Sequence, residues 1–595
     1  MIKYTKVIIA VFGVLFSGML FAQSTNDITV KELKEHVYFL ASDSLVGRKP
    51  GTPGGKIAAE YIRDQFIENG LTPMGEDGFQ YFTVTTSVEP GKNNKIEFNG
   101  VEAIADVDFK PMPFTSNAEL EANVVFAGYG MEIDHDSLVW NDYEGLDVDG
   151  RWVMVLIGDP EPDNDTSLFI SYSGTRDKAL TTRDKKAGGI IFVSGINISK
   201  DDELLANTFN RVTASAGIPA INITRALADS ILGGKKSIAQ IEKDIIDSKK
   251  SIGFSVPATL YVSTELERVE VETQNIVAVI EGNDTELKNE YIVIGAHYDH
   301  LGMGGQGSGS RMPDTIAVHN GADDNASGVA AIIELAEKLN SEKSNLRRSI
   351  IFIAFGAEEM GLLGSQFFTS DSVIAMGDIV AMLNFDMIGR MDSTKRTLMI
   401  GGTGTAEQME AILTEYEEGV NINFSHSPEG YGASDHSSFY GSRVPVLFFF
   451  TGAHQDYHTP LDDADMINYE SEKEIIDFTY PIIMNLATRD DKLVYKEAGP
   501  SKQTARSGRG LKVKLGIMPD FTSTANDGLG VGGVTAGGPA YIAGMLKGDK
   551  IVAIEGMPIT NIYDYMARLK KLKPGQRVSV DIIRNGEPHI MMVLL

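Results

Sequence analysis

Cysteine is absent from the 595 residues of the chain, which excludes disulfide bonds, thiolate metal sites and cysteine nucleophiles. Basic residues are scarce, since 53 lysines and arginines stand against 82 aspartates and glutamates, for a formal net charge of −29. A chain of this charge repels nucleic-acid phosphates, so we expect no nucleic-acid partner. The length favours two to four domains. The content of 43% hydrophobic and 23% charged residues is typical of globular domains.

Long apolar runs are missing after the first 22 residues. Lys3 and Lys6 precede an apolar run over residues 7–21, and Ala22 then provides a small residue. A run of about 15 apolar residues is short for a membrane span, so the pattern predicts a cleaved export signal over residues 1–22. We expect a periplasmic or secreted protein with no stable membrane anchor after cleavage; an uncleaved anchor is the alternative.

The part of the chain from residue 275 to about 494 alternates strand and helix patterns. Its apolar runs are nearly continuous: 276–280, 291–294, 349–355, 379–385 and 444–450. Continuous runs are typical of strands buried on both faces, which predicts an α/β fold with a mainly parallel sheet. Residues 117–257 instead show short strand-like runs between acidic and glycine-containing turns, with no cluster of histidines or carboxylates that could act together.

Histidines and acidic residues follow the predicted strands. Seven of the ten histidines lie between His297 and His458. In an open α/β sheet, ligands collect at the carboxyl ends of the strands. The segments that reach this edge carry histidines and carboxylates: His297 and Asp299, Asp323 and Asp324, Glu358 and Glu359, Asp386, and Tyr457 with His458.

Two histidines and three carboxylates without a thiolate suit a catalytic zinc-type site. Five ligands are too many for one zinc that keeps an open position, so we expect them to be shared between two ions, with one carboxylate bridging. Glu358 stands beside the ligand Glu359 and can face a water molecule, which suits a general base.

The ordered motifs resemble those of the co-catalytic di-zinc exopeptidases, which include bacterial leucyl aminopeptidases and glutamate carboxypeptidase. They are Gly-Ala-His-Tyr-Asp at 295–299, Gly-Ala-Asp-Asp-Asn-Ala-Ser-Gly at 321–328, Glu-Glu at 358–359, Asn-Phe-Asp at 384–386 and Tyr-His-Thr at 457–459. The resemblance implies two zinc ions per chain. It implies His297 and Asp386 on one ion, Glu359 and His458 on the other, and Asp323 bridging.

The same resemblance implies roles for residues beside the ligands. Glu358 would be the general base, and Asp324 would follow a cis peptide bond. Asp299 would orient His297, and Tyr457 would hydrogen-bond the developing oxyanion. The activity implied is removal of amino-terminal residues from peptides by metal-activated water.

Two further regions resemble known modules. The middle region resembles a protease-associated domain and the last part a PDZ domain, whose carboxylate-binding loop would contain Leu515, Gly516 and Ile517. A PDZ domain binds a peptide or a protein C-terminus as an added strand. The predicted domains are a signal peptide at 1–22, a zinc peptidase domain at 23–115 and 256–497, a protease-associated domain at 116–255, a linker at 498–509 and a PDZ domain at 510–595.

Alternatives remain at the residue and the functional level. Five other histidines near the predicted site are interpreted as surface or supporting residues: His300, His319, His426, His436 and His454. Asp462 could orient a ligand or be an exposed loop carboxylate. A carboxypeptidase or dipeptidase would need a cation for the substrate carboxylate, for which Arg311, Arg390 and Arg443 are candidates. A third possibility is an envelope peptide-binding protein without cleavage activity.

Overall fold

The structure of the chain is a computed structural model that describes residues 27–135, 137–164, 166–205, 215–234, 236–498, 513–520, 527–535 and 538–595. The predicted signal peptide and all but the first residue of the predicted linker lie outside the described residues. Among the described residues, none of the helices has the length and apolar character that crossing a membrane requires.

The described helices are α1 (Val30–Leu40), α2 (Pro53–Glu68), α3 (Thr175–Asp184), α4 (Arg225–Leu232), α5 (Ile238–Ser248), α6 (Gly328–Ser341), α7 (Leu363–Ser370), α8 (Met409–Glu417), α9 (His436–Gly441), α10 (Tyr469–Thr488), α11 (Pro539–Ile542) and α12 (Ile562–Lys571). The described strands are β1 (Thr72–Pro73), β2 (Phe79–Pro90), β3 (Lys95–Phe98), β4 (Val101–Glu102), β5 (Phe109–Pro111), β6 (Ala118–Ala127), β7 (Glu132–His135), β8 (Leu138–Asn141), β9 (Trp152–Leu156), β10 (Gly189–Val193), β11 (Ala220–Ile223), β12 (Gly253–Thr264), β13 (Leu266–Ile280), β14 (Tyr291–His297), β15 (Ser349–Phe355), β16 (Ile379–Phe385), β17 (Thr397–Gly401), β18 (Asn423–His426), β19 (Val446–Phe450), β20 (Ile517–Asp520), β21 (Leu529–Val534), β22 (Lys550–Ile554), β23 (Met557–Pro558), β24 (Arg577–Arg584) and β25 (Glu587–Leu594).

The largest sheet has the order β1-β13-β15-β14-β16-β19-β17-β18, with β2 also pairing with β13. Its centre, β15-β14-β16-β19, is parallel. Strands β13 and β17 pair antiparallel with the two ends of that centre. The predicted α/β class is confirmed, and the sheet is mixed outside its parallel centre.

The central strands are buried along their whole length, as the continuous apolar runs predict. In β15, Ile350, Phe352 and Ala354 face one core cluster. Ile351, Ile353 and Phe355 face a second cluster on the other side of the sheet. The first cluster includes apolar residues of α1, α2, α6 and α10, and the second includes residues of α7 and α9. This two-sided burial is the reason that alternation is missing from the sequence of the strand.

A second sheet, in the order β4-β3-β12-β6-β9-β10-β11-β5, lies between β2 and β13 in sequence. We refer to residues 95–264 as the inserted unit. Its boundaries differ from the predicted 116–255, because β3 and β5 pair with strands of this sheet and β12 continues to Thr264. Short strands such as Lys95–Phe98 carry too few residues for their sheet to be read from the sequence alone.

The C-terminal unit is a small sheet in the order β20-β21-β22-β24-β25, and α12 packs on its core. Its α12 also contacts α3 of the inserted unit. Arg183 Nη1 lies 3.0 Å from Asp564 Oδ2, and Arg568 Nη2 donates to Asp184 Oδ1 at 2.7 Å. Ala567 belongs to the same apolar cluster as Ala179 and Leu180. The two units therefore meet through paired charges that surround an apolar contact.

Helix α10 buries an acidic side chain that has no hydrogen-bonding partner in the part of the chain that the structure describes. Glu472 in α10 is fully buried, and neither carboxylate oxygen has a hydrogen-bonding partner among the described residues. Burial, together with the nearby Asp323 and Glu334, raises the pKa of the Glu472 carboxyl well above its ordinary value. A raised pKa in an acid means that the native protein binds the proton more tightly than the unfolded chain does.

We therefore expect Glu472→Met to be more stable than the wild type at neutral pH. The contribution of the protonated Glu472 is present below its unfolded pKa of about 4.3. This contribution is lost as the pH rises toward the higher pKa of Glu472 in the folded protein. The stability advantage of the variant therefore grows as the pH rises. A buried polar group left without a partner costs about 1–3 kcal/mol, so we expect a gain in the free energy of unfolding of this order.

The measurement is urea unfolding at several pH values between 5 and 9. Glu470→Met is the matched control, because Glu470 is an exposed residue of the same helix and we expect no pH-dependent difference for it. An advantage of Glu472→Met that is constant across this range would contradict the assignment of the raised pKa.

Candidate metal centre

The carboxyl edge of the central strands collects the polar residues that the sequence analysis selected. His297 is the last residue of β14, Asp386 follows β16, and Glu358 and Glu359 follow β15 by a short turn. Residues 322–327 form a tight turn before α6, and His458 lies eight residues after β19. Parallel strands end at one edge of a sheet, which is why these segments meet although they are far apart in sequence.

The first group of ligand atoms contains His297, Asp324 and Asp386. His297 Nε2 lies 3.3 Å from Asp324 Oδ1 and 3.5 Å from Asp386 Oδ1. The imidazole of His297 is 1% exposed. Its other nitrogen, Nδ1, lies 3.2 Å from the carbonyl oxygen of Asp299, which orients the ring with Nε2 toward the carboxylates.

The second group contains His300, Asp324 and Glu359, and His458 lies beside it. His458 Nε2 is 3.1 Å from both Asp324 Oδ2 and Glu359 Oε1. Asp324 therefore uses one oxygen toward each group, Oδ1 toward His297 and Oδ2 toward His458. A carboxylate in this position is suited to bridge two ions.

We predicted Asp323 as the bridging residue, but Asp324 occupies this position instead. The carboxylate of Asp323 points away from both groups, with Oδ2 3.3 Å from His454 Nε2 and Oδ1 accepting the backbone N–H of Gly389 at 2.7 Å. The cis peptide bond joins Asp324 to Asn325, so Asp324 precedes it and does not follow it as predicted. Adjacent side chains in an irregular turn point in different directions, and only the backbone conformation decides between them.

The turn that carries Asp324 is held by two buried charged side chains. Both oxygens of Asp462 accept the backbone N–H of Asp323 at 3.1 Å, and Oδ2 accepts that of Asp324 at 3.0 Å. Arg48, 1% exposed, donates to the carbonyl oxygens of Asn320 and Gly321, which precede the turn, and to that of Tyr298, which follows His297. Sequence reasoning left the role of Asp462 open and missed Arg48, whose partners are all backbone atoms.

The electrostatics of the centre reflect carboxylates surrounded by imidazoles. Burial acts to raise the pKa of Asp324, but the three imidazoles of His297, His300 and His458 outweigh it and hold that pKa well below the ordinary range. For Glu359, burial and the charge of Asp324 act in the same upward direction. His300 and His458 outweigh them and lower its pKa to about 2. Both carboxylates are therefore ionised, as metal ligands must be.

Glu358 differs from its neighbour in its environment. Its Oε2 lies 3.9 Å from His297 Nε2. Burial raises its pKa well above the ordinary value, and the charges of Glu359, Asp435 and Asp386 add to this effect. Its backbone N–H donates to Asp299 Oδ1 at 2.9 Å. Two adjacent glutamates thus have pKa values shifted in opposite directions, which is typical of an acid–base group beside a ligand.

The remaining predicted residues lie near the centre but contact it differently. Asp299 is buried, and its Oδ1 is 4.0 Å from His297 Nδ1, so its carbonyl oxygen rather than its carboxylate orients the imidazole. Burial raises the pKa of its carboxyl to about 6. Tyr457 is half-buried and stacks on His458 with ring centroids 3.8 Å apart. Leu515, Gly516 and Ile517 lie in the C-terminal unit, where Gly516 has a left-handed backbone with φ of 76°.

Of the five histidines that we interpreted as supporting residues, His300 is the exception, because it enters the second group. His319 contacts Ser310 and the carbonyl oxygen of Ala317, and His426 contacts Glu417. His436 stacks on Phe448, and burial lowers its pKa to about 3. His454 lies beside Asp323. His300 lies only three residues after His297, and this closeness in sequence is the one signal that could have predicted that it belongs to the centre.

Three residues at the centre have left-handed backbones although they are not glycines. Ala357 precedes Glu358, Met387 follows Asp386, and His458 is itself a member of the centre, with φ values between 54° and 56°. Such conformations are uncommon outside glycine and cluster at functional sites.

The fold and the centre define an α/β protein in which two groups of histidines and carboxylates that could hold metal ions lie at one edge of the main sheet. Residues 275–482 match Peptidase family M28, and residues 513–595 match the PDZ domain. The chain therefore contains a Peptidase family M28 domain followed by a C-terminal PDZ domain.

Leucine aminopeptidase 1 of Coccidioides posadasii is 31% identical over 210 residues, which are 33% of this chain and 51% of that protein. Leucine aminopeptidase 1 of Fusarium vanettenii is 28% identical over 266 residues, 43% of this chain and 58% of that protein. The chain thus spans about half the length of the curated relatives it matches. Among solved structures, a zinc aminopeptidase from Bacillus subtilis aligns with a TM-score of 0.45 and 19% identity, over 78% of this chain and 98% of that one.

The placement of the two aspartates predicts different consequences for metal binding. We expect Asp324→Asn to lose most of its bound metal, because Asp324 contacts both groups. We expect Asp323→Asn to retain its metal, because its carboxylate points to His454 and Gly389. The measurement is the metal content per chain by plasma mass spectrometry after gel filtration. Metal lost from Asp323→Asn and kept by Asp324→Asn would restore the assignment made from the sequence.

Proposed function

We propose that the protein is an exported zinc aminopeptidase that removes amino-terminal residues from peptides. The observation that carries this proposal is the pair of ligand groups that share Asp324, with Glu358 beside them. The named function of the Leucine aminopeptidase 1 relatives supports the choice of an amino-terminal cleavage. Export rests on the composition of residues 1–22.

The residues present fit two zinc ions. His297 and Asp386 would hold one, Glu359 and His458 would hold the other, and Asp324 would be shared by both. Buried oxygen and nitrogen atoms of the centre that lack a hydrogen-bonding partner among the described residues, such as Glu359 Oε1, have the chemistry of metal ligands. When bound, the ions supply polarisation of the peptide carbonyl and activation of water.

Glu358 performs the proton transfer in this proposal. Its carboxylate takes a proton from the attacking water and gives it to the amine that leaves when the C–N bond breaks. Its raised pKa suits a group that must both accept and return a proton. The ring of Tyr457 packs on His458, and its hydroxyl is the candidate to stabilise charge on the carbonyl oxygen.

The surroundings of the three candidate arginines favour an aminopeptidase over a carboxypeptidase. Arg390 Nη2 donates to Asp456 Oδ2 at 3.0 Å. Arg443 stacks on Tyr495 and lies 3.7 Å from Glu497. Arg311 donates to backbone carbonyl oxygens, including that of Gln455 at 3.2 Å. A substrate carboxylate would have to compete with these partners at Arg311 and Arg443, whereas Arg390 keeps one nitrogen, Nη1, without a hydrogen-bonding partner among the described residues.

The inserted unit and the PDZ domain extend the proposal to binding. We propose that the inserted unit is a protease-associated domain and that the PDZ domain takes a peptide or protein C-terminus. Such a ligand would add as a strand beside β20, with its carboxylate at the backbone of Leu515, Gly516 and Ile517.

The first test of the activity uses a set of peptides with free, amino-acetylated and carboxyl-amidated ends, with and without a chelator. We expect stepwise loss from free amino ends in free and amidated peptides, and none after chelation, because the ions supply the Lewis acid. The measurement is mass spectrometry of the products. Loss from carboxyl ends would favour a carboxypeptidase, and binding without cleavage would favour an envelope peptide-binding protein.

The role of Glu358 has its own test. We expect Glu358→Gln to lower kcat by about 10²–10⁴-fold, which is the usual contribution of a general base. It should leave the metal content unchanged, because the ligand atoms stay in place. Glu407→Gln, on an exposed residue of the same domain, serves as the control and should retain wild-type kcat. A normal turnover number for Glu358→Gln would exclude the proposed role.

A further inference from the structure

His300 is a buried histidine that the proposed ligand set does not use. It follows β14 by three residues and is 1% exposed. Neither ring nitrogen has a hydrogen-bonding partner among the described residues. A buried polar group without a partner costs about 1–3 kcal/mol, so a fully buried imidazole with two such atoms needs a physical reason.

The Nδ1 atom of His300 points into the second group. Nδ1 lies 2.8 Å from Glu359 Oε1 and 3.7 Å from Asp324 Oδ2. The two atoms are within hydrogen-bond distance, yet neither His300 Nδ1 nor Glu359 Oε1 has a hydrogen bond of good geometry among the described residues. Two atoms with lone pairs that approach one another without a shared proton are typical of ligands that converge on one cation.

His458 approaches the same two carboxylate oxygens from another direction. Its Nε2 is 3.1 Å from each of them, and its ring meets that of His300 edge-on, with centroids 5.7 Å apart and planes at 70°. Two imidazoles and two carboxylates therefore surround one point. The first group has only one imidazole, that of His297, with the carboxylates of Asp324 and Asp386.

We propose that His300 is a fourth protein ligand of the second metal position, together with Asp324, Glu359 and His458. The second position then has two imidazole ligands where the first has one. Imidazole favours zinc-type ions over magnesium or calcium. The second position consequently binds zinc more tightly and fills first, and the first position holds the more exchangeable ion. This inference rests on the proposed function for the identity of the metal and is independent of peptide cleavage.

The direct test counts imidazoles on the metal. The full chain is stripped of metal and titrated with Co²⁺, and proton NMR in water records the strongly shifted, exchangeable imidazole N–H signals. We expect two such signals after the first equivalent, from His300 and His458, and a third after the second equivalent, from His297. Two signals in total, or one signal after the first equivalent, would overturn the proposal. This measurement needs no variant, so a folding defect cannot obscure it.

Variants separate a ligand from a residue that only orients Glu359. We expect His300→Ser to weaken binding of the first zinc ion by at least about 10-fold, measured by competition with a chelating dye, since losing even a supporting residue typically costs about 10–100-fold. His300→Gln keeps a hydrogen-bond donor of similar size but is a poor zinc ligand. It should therefore remain as weak as His300→Ser, whereas recovery of wild-type affinity in His300→Gln would show an orienting role and overturn the proposal.

The control is His426→Ser. His426 is a partly exposed residue that contacts Glu417, outside both groups, and its removal should leave both affinities unchanged. The metal measurements use no substrate. Three imidazole signals in a protein without peptidase activity would refute the proposed function and keep this inference, and an active enzyme with two signals would do the reverse.

Discussion

Repulsion between buried carboxylates is the constraint on which the centre depends. Asp324, Glu358, Glu359 and Asp386 crowd the edge of one sheet, where their negative charges lie close together in a buried medium of low dielectric constant. Such a cluster is stable only if cations or imidazoles are placed between the acids. The positions of the histidines follow from this need, since each imidazole of the two groups lies between two carboxylates.

The acids are held in place by backbone contacts that leave their own oxygens available. Asp462 accepts two backbone N–H groups of the turn that carries Asp324. Arg48 joins that turn to the end of β14 through carbonyl oxygens, and its guanidinium adds a buried positive charge near the acids. Burial lowers the pKa of Arg48 to about 10, which still leaves the guanidinium charged. One side chain thus fixes the geometry of two ligand segments and offsets part of their charge.

The sequence was sufficient for the fold class and for the segments of the centre, because both depend on patterns that are local and repeated. Continuous apolar runs predicted the buried strands, and the strand ends located the polar residues. The sequence could not decide between Asp323 and Asp324, because that choice depends on the backbone of a turn with a cis peptide bond. It also could not assign His300 or Arg48, since their partners come from other segments, nor the limits of the inserted unit, where pairing of β3 and β5 is set by distant strands.

The C-terminal unit contacts the loop that contains Tyr431 and Ser434. This contact is possible because residue 533 is a glycine and has no side chain. Gly533 in β21 packs against the hydroxyl of Tyr431, which would lie only 1.6 Å from a Cβ atom at that position. Tyr431 precedes Ser434, and Ser434 accepts a hydrogen bond from Asn384 of β16 at 2.7 Å. Asp386 follows that strand by one residue. The C-terminal unit thus contacts the loop at Tyr431, and that loop contacts the strand that ends before Asp386. A side chain at position 533 would prevent the first of these contacts, so glycine is required there.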